Sequence, residues 1–347
     1  AGVMISASHN PFEDNGLKVF QASGYKCDDA IEDRISTHIR ADSEAITELY
    51  SSPSHIGIVE EAEDAAGAFV ELALTRFAHD LRLDGLKIAV DTANGAAFST
   101  TPRVLEALGA NVLLHHAQPC GLNINAGCGS AHPEVVAAAV KESGAAIGIS
   151  HDGDADRVIF ADETGDILDG DEVLAILGRS MKQAGTLEGD ALVATVMSNL
   201  GLDEAMAAAG VKVLRANVGD RYVLEMMRKH GHNLGGEQSG HMILSDFNTT
   251  GDGLNTALQL LREVQRSGKP LSELRRCMSK YPQLLVNVRV TQKPPFEAIA
   301  GLSRVQRDVE SELGSEGRVL LRYSGTEPKL RLLLEAKSGD KLEALAD

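Results

Sequence analysis

The sequence predicts an α/β protein that repeats α/β domains of one kind, with mixed sheets flanked by helices, followed by a small α+β C-terminal domain. Its 347 residues exceed the usual size of one domain. Two segments share the order strand, loop, helix, glycine, strand. Gly109 ends the helix of the first segment, and Gly210 ends the helix of the second. From about Tyr281 onward the pattern changes to strands on either side of one helical stretch. These observations favour repeated α/β units before a different last domain.

In the first segment, Lys87–Asp91 is predicted to be a strand, and Thr101-Pro102 begins a helix with the threonine as N-cap. The second segment and the last region give the same kinds of element, predicted at Ala191–Val196, Asp203–Ala209, Val211–Arg215, Leu284–Val290, Phe296–Leu313, Arg318–Arg322 and Leu330–Ala336. Unrelated βαβ units also look alike, so the recurrence alone leaves an independent origin of the two segments open.

The composition narrows the class of partner. A formal net charge of −17 and the absence of tryptophan argue against nucleic acid and anionic membranes as partners. The four cysteines form no CxxC pair, so we interpret them as reduced thiols of a cytoplasmic protein. A zinc site built from His115, His116, Cys120 and Cys128 is an alternative, although the spacing matches no common pattern. The chain starts at Ala1 inside an apolar run, so we expect it to be a fragment.

The first chemically informative loop is S-A-S-H-N-P, residues 6–11, which follows the apolar strand Gly2–Ile5. A serine at the carboxyl end of a strand in an open α/β sheet lies where ligands bind. An Asn-Pro turn with a capping serine is the alternative. A Ser–His–acid triad is disfavoured because no G-x-S-x-G motif surrounds Ser8.

The second loop, H-D-G-D-A-D-R at residues 151–157, places carboxylates at alternate positions. Asp152, Asp154 and Asp156 can surround one hard cation such as Mg²⁺, Mn²⁺ or Ca²⁺. An EF-hand is disfavoured because Arg157 stands where a glycine is needed and because both flanks are predicted to be strands. Two alternatives remain open: a phosphatase with an aspartyl nucleophile, and a solvated acidic turn.

Two further loops carry polar groups that could bind a ligand. In G-G-E-Q-S-G-H, residues 235–241, Glu237 and Ser239 can read sugar hydroxyls, and His241 can move a proton. In R-Y-S-G-T-E-P, residues 322–328, hydroxyls and free backbone N–H groups make an anion nest, with Arg322 and Arg331 beside it. A flexible polar turn and a plain hairpin are the respective alternatives.

Together, and in this order, the four loops resemble those of the α-D-phosphohexomutase superfamily over essentially the whole chain. The resemblance implies four domains, which we place at 1–54 with the phosphoserine loop, 55–165 with the metal loop, 166–280 with the sugar loop and 281–347 with the phosphate loop. It also implies an isomerase of the intramolecular phosphotransferase type, acting on a small phosphosugar with Mg²⁺ as cofactor.

The resemblance also assigns residue roles. Ser8 would carry the phosphoryl group and, with Asp152, Asp154 and Asp156, would hold Mg²⁺. Lys18, His9 and His241 are implied as acid–base candidates, and Arg157 would support the transferring group. The substrate would be bound by the remaining residues of the sugar and phosphate loops and by Arg331, namely Glu237, Ser239, Arg322, Ser324, Gly325, Thr326 and Arg331.

Among the subfamilies, the chain is most similar to the phosphoglucosamine mutases, through the stretches 121–125, 128–130 and 218–223. That similarity implies interconversion of glucosamine 6-phosphate and glucosamine 1-phosphate through glucosamine 1,6-bisphosphate, in the supply of amino-sugar nucleotides and cell-wall precursors. The alternatives are a phosphomannomutase/phosphoglucomutase and a phosphosugar-binding protein without turnover. The resemblance also implies a further segment before the serine loop, which we expect to belong to the first domain and to precede the fragment that starts at Ala1. The sequence is compatible with a homodimer and does not specify the assembly.

Overall fold

The computed structural model describes residues 1–41, 50–324, 328–342 and 345. Within these ranges the strands form four separate sheets, of two, five, four and three strands in chain order. None of the helices in these ranges combines the length and the apolar surface that crossing a membrane requires. The four cysteines are free thiols.

The first sheet is a hairpin that presents the serine loop. Strand β1 (Gly2–Ile5) pairs antiparallel with β2 (Leu17–Phe20), which places Met4 opposite Lys18. Helix α1 (Asp29–Arg40) follows, and its N-cap Asp28 accepts a hydrogen bond from the N–H of Ile31. The serine loop therefore leaves the end of β1 beside the strand that carries Lys18.

The second sheet has five strands in the order β4-β3-β5-β6-β7. Strand β3 runs parallel to both β4 and β5, whereas β6 and β7 are added antiparallel. The elements of this unit are α2 (Ala65–Leu72), β3 (Lys87–Asp91), α3 (Thr101–Ala107), β4 (Asn111–His115), α4 (Glu134–Ser143), β5 (Ile147–His151), β6 (Val158–Ala161) and β7 (Ile167–Leu168).

The third sheet repeats this arrangement in the order β11-β10-β8-β9. Strand β8 runs parallel to β9 and β10, and β11 is antiparallel. Its elements are α5 (Gly170–Ala184), β8 (Ala191–Thr195), α6 (Leu200–Ala208), β9 (Lys212–Ala216), α7 (Asp220–His230), β10 (Leu234–Gly236), β11 (Met242–Leu244), α8 (Gly253–Ser267) and α9 (Leu271–Leu274). The shared topology of two mixed sheets confirms the predicted repetition of one α/β fold.

Two local predictions need correction. The N-cap of α3 is Thr100 rather than Thr101, and the Thr101 hydroxyl instead lies 3.1 Å from Nε2 of the buried His151. The predicted helix Phe296–Leu313 is also interrupted. It consists of a 3₁₀ turn over Phe296–Ala298 and helix α10 over Leu302–Leu313, because Gly301 adopts a left-handed φ of 83° between them.

The C-terminal sheet is antiparallel throughout, in the order β12-β14-β13. Its strands are β12 (Gln283–Arg289), β13 (Gly317–Tyr323) and β14 (Lys329–Ala336), and α10 packs on it through Val309 and Leu313. The predicted phosphate loop begins at the end of β13 and reaches the start of β14, and its residues 325–327 lie outside the described part of the chain. The sheet confirms the predicted α+β character of this region, and the domain boundaries stay predictions.

A buried ion pair attaches this last sheet to the third one. Glu335 is fully buried and accepts hydrogen bonds from Arg318 Nε at 2.7 Å and from the N–H of Leu200 at 2.7 Å. The same guanidinium donates to the carbonyls of Val196 and Ser198 at 2.9 and 2.6 Å. The loop between β8 and α6 is therefore bound to the C-terminal sheet by both members of this ion pair, the Glu335 carboxylate and the Arg318 guanidinium.

We predict that Glu335→Ala destabilises the protein by about 3 kcal/mol, because it leaves the Arg318 charge without its buried partner. Thermal unfolding of both proteins measures the change. Glu310→Ala is the matched control, since Glu310 is exposed on α10 and accepts a bond only at the surface, from Gln306. Equal melting temperatures for Glu335→Ala and the unmodified chain would contradict this account of the attachment.

Candidate active site

The serine loop and the acidic loop meet directly. The Ser8 hydroxyl donates a 2.7 Å hydrogen bond to Oδ2 of Asp152, and the Ser6 hydroxyl donates one of 2.7 Å to Oδ2 of Asp154. Ser8 itself has a left-handed φ of 54°. Two loops that lie far apart in sequence thus bring a hydroxyl into contact with a carboxylate that was predicted to be a metal ligand.

The acidic loop is the turn between the antiparallel strands β5 and β6, which excludes the helix-flanked EF-hand geometry. Carboxylate oxygens of Asp152, Asp154 and Asp156 lie within 4.8 Å of one another. Oδ1 of Asp154 and Oδ1 of Asp156 are buried and find no hydrogen-bond partner within the described part of the chain. Three converging carboxylates, two of which carry a buried oxygen without a hydrogen-bond partner, fit a hard divalent cation.

The electrostatics of this cluster are strongly perturbed. Burial, reinforced by the charges of Asp156 and Asp154, raises the pKa of Asp152 to about 7. Burial opposes ionisation of Asp154 as well, but hydrogen bonds from Lys18 and Ser6 outweigh it and hold the pKa of Asp154 below its usual range. The cluster therefore accommodates its negative charge only with positive charge beside it.

Lys18 supplies part of that positive charge from strand β2. Its Nζ lies 2.5 Å from Oδ2 of Asp154 and 3.0 Å from Oδ2 of Asp156. Burial opposes the charge on Lys18, yet the two carboxylates raise its pKa above the ordinary value. Lys18 is therefore an ammonium ion in this arrangement, able to donate a proton or a hydrogen bond to a neighbouring oxygen.

His9 of the serine loop and Arg157 of the acidic loop contact each other. Arg157 Nη1 lies 3.1 Å from Nδ1 of His9. Burial and the guanidinium charge lower the pKa of His9, so its imidazole is neutral at neutral pH and can accept a proton. The backbone N–H of Arg157 also donates a hydrogen bond to Oδ1 of Asp152 at 3.0 Å, and this bond fixes the turn of the acidic loop.

The sugar loop is the turn between β10 and β11, and it contacts the acidic loop through backbone. Arg157 and His241 form an isolated antiparallel bridge, and the Val158 N–H donates to the Gly240 carbonyl at 3.1 Å. Gly240 has a φ of 91°, and a Cβ there would lie 2.3 Å from the Val158 carbonyl oxygen. A glycine is therefore required where the two loops approach most closely.

His241 and Glu237 are buried, whereas Ser239 is exposed. His241 is buried, with Nε2 at 3.9 Å from Oδ2 of Asp156 and 3.7 Å from Oδ2 of Asp220. Glu237 accepts a 3.0 Å hydrogen bond from the Gly219 N–H. The sugar loop is thus tied both to the acidic loop and to the start of α7.

The phosphate loop presents two arginines side by side. Arg322 on β13 and Arg331 on β14 are cross-strand partners. Burial and the charge of Arg331 lower the pKa of Arg322, and the nearby Glu237 carboxylate opposes this effect. An anion between the two guanidinium groups would relieve their repulsion. Ser324 is buried beside them, and the predicted contacts Gly325 and Thr326 lie outside the described residues.

The zinc alternative is not supported by the geometry. Of the four residues considered, His116 and Cys128 approach Asp91 closely enough to share a cation, and neither His115 nor Cys120 joins them among the described residues. Asp91 already accepts hydrogen bonds from the N–H groups of Ala93 and Gly129, at 2.9 and 3.0 Å. This carboxylate organises a loop.

The sequence reasoning missed several residues that complete the site. Lys26 from the first unit forms an ion pair with Asp220 at the start of α7, Lys293 donates to the Ser324 carbonyl, and Asn125 donates to the serine loop. Asn125 and Asp220 lie in stretches that had been noted only for their subfamily resemblance. Motif spacing carries no signal for such contacts, because each partner lies in another domain or loop.

Comparisons with known proteins agree with this arrangement. Models of phosphoglucomutase/phosphomannomutase match alpha/beta/alpha domain I at 1–46, domain II at 68–165, domain III at 169–281 and the C-terminal domain at 285–347. A phosphoglucosamine mutase of Geotalea daltonii is 53% identical over 97% of this chain and 74% of the relative. One of Syntrophotalea carbinolica is 51% identical over 100% of this chain and 75% of the relative.

Solved structures show the same fold at low identity. A phosphoglucomutase/phosphomannomutase family protein of Burkholderia thailandensis has a TM-score of 0.79 at 23% identity, covering 99% of this chain and 74% of that one. The N-acetylphosphoglucosamine mutase of Aspergillus fumigatus, in complex with GlcNAc-6P and magnesium, has a TM-score of 0.75 at 18% identity, covering 99% and 86%. The resemblance predicted from the four loops is confirmed, and the chain belongs to the phosphoglucomutase/phosphomannomutase family.

Proposed function

We propose that the chain is a phosphoglucosamine mutase that interconverts glucosamine 6-phosphate and glucosamine 1-phosphate through a phosphoserine at Ser8. The observation that carries the proposal is the 2.7 Å contact between the Ser8 hydroxyl and Asp152, inside a cluster of three carboxylates. Relatives that are 51–53% identical over nearly all of this chain bear that name, which supports the choice of sugar.

A divalent cation fits the acidic loop. A phosphoserine carries about −1.5 to −2 charges at neutral pH, and Asp152, Asp154 and Asp156 add theirs beside it. Mg²⁺ held by these three residues and by the phosphate on Ser8 would neutralise this charge and stabilise the charge that develops during in-line transfer. Lys18 contributes the remaining positive charge from the opposite strand.

The other loops position the substrate. Arg322 and Arg331 grip the phosphate that does not react, while Glu237 and Ser239 read sugar hydroxyls. The free hydroxyl of the sugar then faces Ser8, takes its phosphoryl group and yields glucosamine 1,6-bisphosphate. After this intermediate has turned over, its other phosphate returns to Ser8, so the arginine pair accepts either phosphate in turn.

Proton transfer falls to groups beside the acidic loop. His9 is neutral, and its Nδ1 accepts a 3.1 Å hydrogen bond from Arg157, so it can act as a base once this bond is exchanged for one from the substrate hydroxyl. Lys18 is protonated and suits an acid or an oxygen-binding cation. His241 lies between Asp156 and Asp220 and can serve either direction of the reaction.

The alternative is that the chain is a phosphomannomutase/phosphoglucomutase, which would use the same loops. The preferred sugar distinguishes the two functions. A comparison of kcat/KM on glucosamine, glucose and mannose 6-phosphates under identical conditions tests it. We expect the amino sugar to be preferred. Equal or greater kcat/KM on glucose or mannose phosphate would favour the alternative, and binding without turnover of any of them would favour a phosphosugar-binding protein.

We predict that Ser8→Ala abolishes turnover while substrate affinity changes little, because the hydroxyl that carries the phosphoryl group is lost and the substrate contacts remain. Turnover of glucosamine 6-phosphate and intact mass after exposure to glucosamine 1,6-bisphosphate measure the effect. Ser6→Ala is the matched control, since Ser6 contacts Asp154 and supports the Ser8 N–H at 2.9 Å without carrying phosphate. It should slow turnover and still gain one phosphate. Undiminished turnover by Ser8→Ala would rule the mechanism out.

We also predict that the affinity of the dephosphorylated protein for Mg²⁺ depends on pH through Asp152. Its pKa of about 7 means that the carboxyl is protonated below that pH, so cation binding must displace a proton. Affinity should fall about tenfold per pH unit below this value and level off above it. Calorimetry in buffers of different ionisation enthalpy measures the proton released. A pH-independent affinity between about pH 5.5 and 8 would contradict the prediction.

A further inference from the structure

We propose that Asn125 is a positioning residue for the phosphoryl-carrying serine. Its side-chain amide holds the backbone of the serine loop in the conformation that turns the Ser8 hydroxyl toward Asp152. The inference rests on the proposed function of Ser8 and adds a residue, in the second α/β unit, on which the transfer step depends.

The contact uses the full donor capacity of one amide. Asn125 Nδ2 donates to the Ser8 carbonyl at 2.8 Å and to the Asn10 carbonyl at 2.8 Å. Both hydrogens of the –NH₂ group are therefore used, and the orientation of the amide follows from its two carbonyl partners. Asn125 is 9% exposed, so water competes little for these bonds.

The serine backbone needs such support. A non-glycine residue in the left-handed region, as Ser8 is with a φ of 54°, costs about 1–2 kcal/mol. Its N–H is bonded to Ser6 Oγ at 2.9 Å, its carbonyl to Asn125, and its hydroxyl to Asp152. Because the carbonyl and the side chain leave the same Cα, releasing the carbonyl frees the hydroxyl to turn away from the acidic loop.

Asn125 is itself fixed by the end of strand β3. Its N–H donates to the Ala93 carbonyl at 2.9 Å, and the Ala93 N–H donates to the fully buried Asp91. Asn125 also has a left-handed φ, of 57°, which asparagine tolerates better than most residues. The backbone that carries the Asn125 amide is thus hydrogen-bonded to the loop that leaves the end of β3.

The contact lies where the serine loop and the acidic loop approach most closely. A Cβ built on Gly153 would come within 2.6 Å of the Ser8 carbonyl oxygen and 2.8 Å of Asn125 Nδ2. The Gly153 carbonyl in turn accepts the Ala96 N–H at 2.8 Å. Two loops of the second unit therefore take part: the loop after β3 supports the acidic turn through Ala96, and the loop after β4 supports the serine through Asn125.

Asn125→Asp is the most informative variant. Aspartate keeps the shape and tolerates a positive φ, but it replaces the donor by a carboxylate oxygen that repels the two carbonyls. Asn125→Gly removes the amide without adding charge and also tolerates the backbone conformation. Asn123→Asp is the matched control: it adds the same charge in the same loop, where Asn123 bonds Cys120 and Gln118 instead of the serine loop.

We expect both Asn125 variants to lower kcat by roughly 10²-fold, the loss that follows a displacement of about 1 Å. KM should change by less than about threefold, because no substrate-binding group has been altered. Single-turnover transfer from glucosamine 1,6-bisphosphate to Ser8, followed by intact mass, should slow in parallel with kcat. Asn123→Asp should retain most of the unmodified rate, and Asn125→Gly carries the test if Asn125→Asp fails to fold.

Three outcomes would overturn the inference: unmodified rates in both Asn125 variants, an equal loss in Asn123→Asp, or a loss confined to Asn125→Asp. The last of these would indicate added charge rather than lost positioning. Failure of the unmodified protein to gain phosphate on Ser8 would instead overturn the proposed function, which separates the two results.

Discussion

The hydrogen bond between Ser8 and Asp152 is the contact on which the rest of the site depends. It joins side chains that are 144 positions apart in the chain, at 2.7 Å. Three carboxylates that converge beside this hydroxyl repel one another, and burial makes the repulsion stronger. The arrangement is stable only with positive charge nearby, which Lys18 provides in part and which a divalent cation would complete.

The scaffold serves this contact by supplying strand ends and tight turns. The serine loop leaves the end of β1, the acidic loop turns from β5 to β6, and the sugar loop turns from β10 to β11. The acidic loop and the sugar loop are joined by a backbone hydrogen bond between Val158 and Gly240, and this close approach leaves no room for a side chain at position 240. The phosphate loop stands on a separate sheet, which Arg318 and Glu335 attach to the third sheet.

Much of the site was predictable from sequence because its chemistry is carried by short local motifs. Alternating aspartates predict a cation ligand set wherever they occur on a turn, and the strands on both sides of Asp152 were readable from their apolar residues. The repeated α/β topology was equally visible, since a glycine closes each first helix. Positions within a motif, such as Ser8 and Glu237, could therefore be named before any coordinates.

The contacts between loops were not predictable in the same way. Asn125 binds the serine loop from another unit, Lys26 reaches Asp220 across two domains, and Thr101 bonds His151 where a helix cap was expected. Each depends on how two distant segments are brought together. The break at Gly301 shows the same limit on a smaller scale, because the apolar periodicity continued across a residue whose left-handed φ separates a 3₁₀ turn from the helix that follows.

In the proposed mechanism, one cation would be held by the acidic turn together with a phosphate on Ser8. Anomalous diffraction from crystals of the phosphorylated protein grown with Mn²⁺ tests it most directly. The account predicts one strong peak in contact with carboxylate oxygens of Asp152, Asp154 and Asp156 and with a phosphate oxygen on Ser8. A peak elsewhere, or a phosphate carried by one of the aspartates, would contradict it.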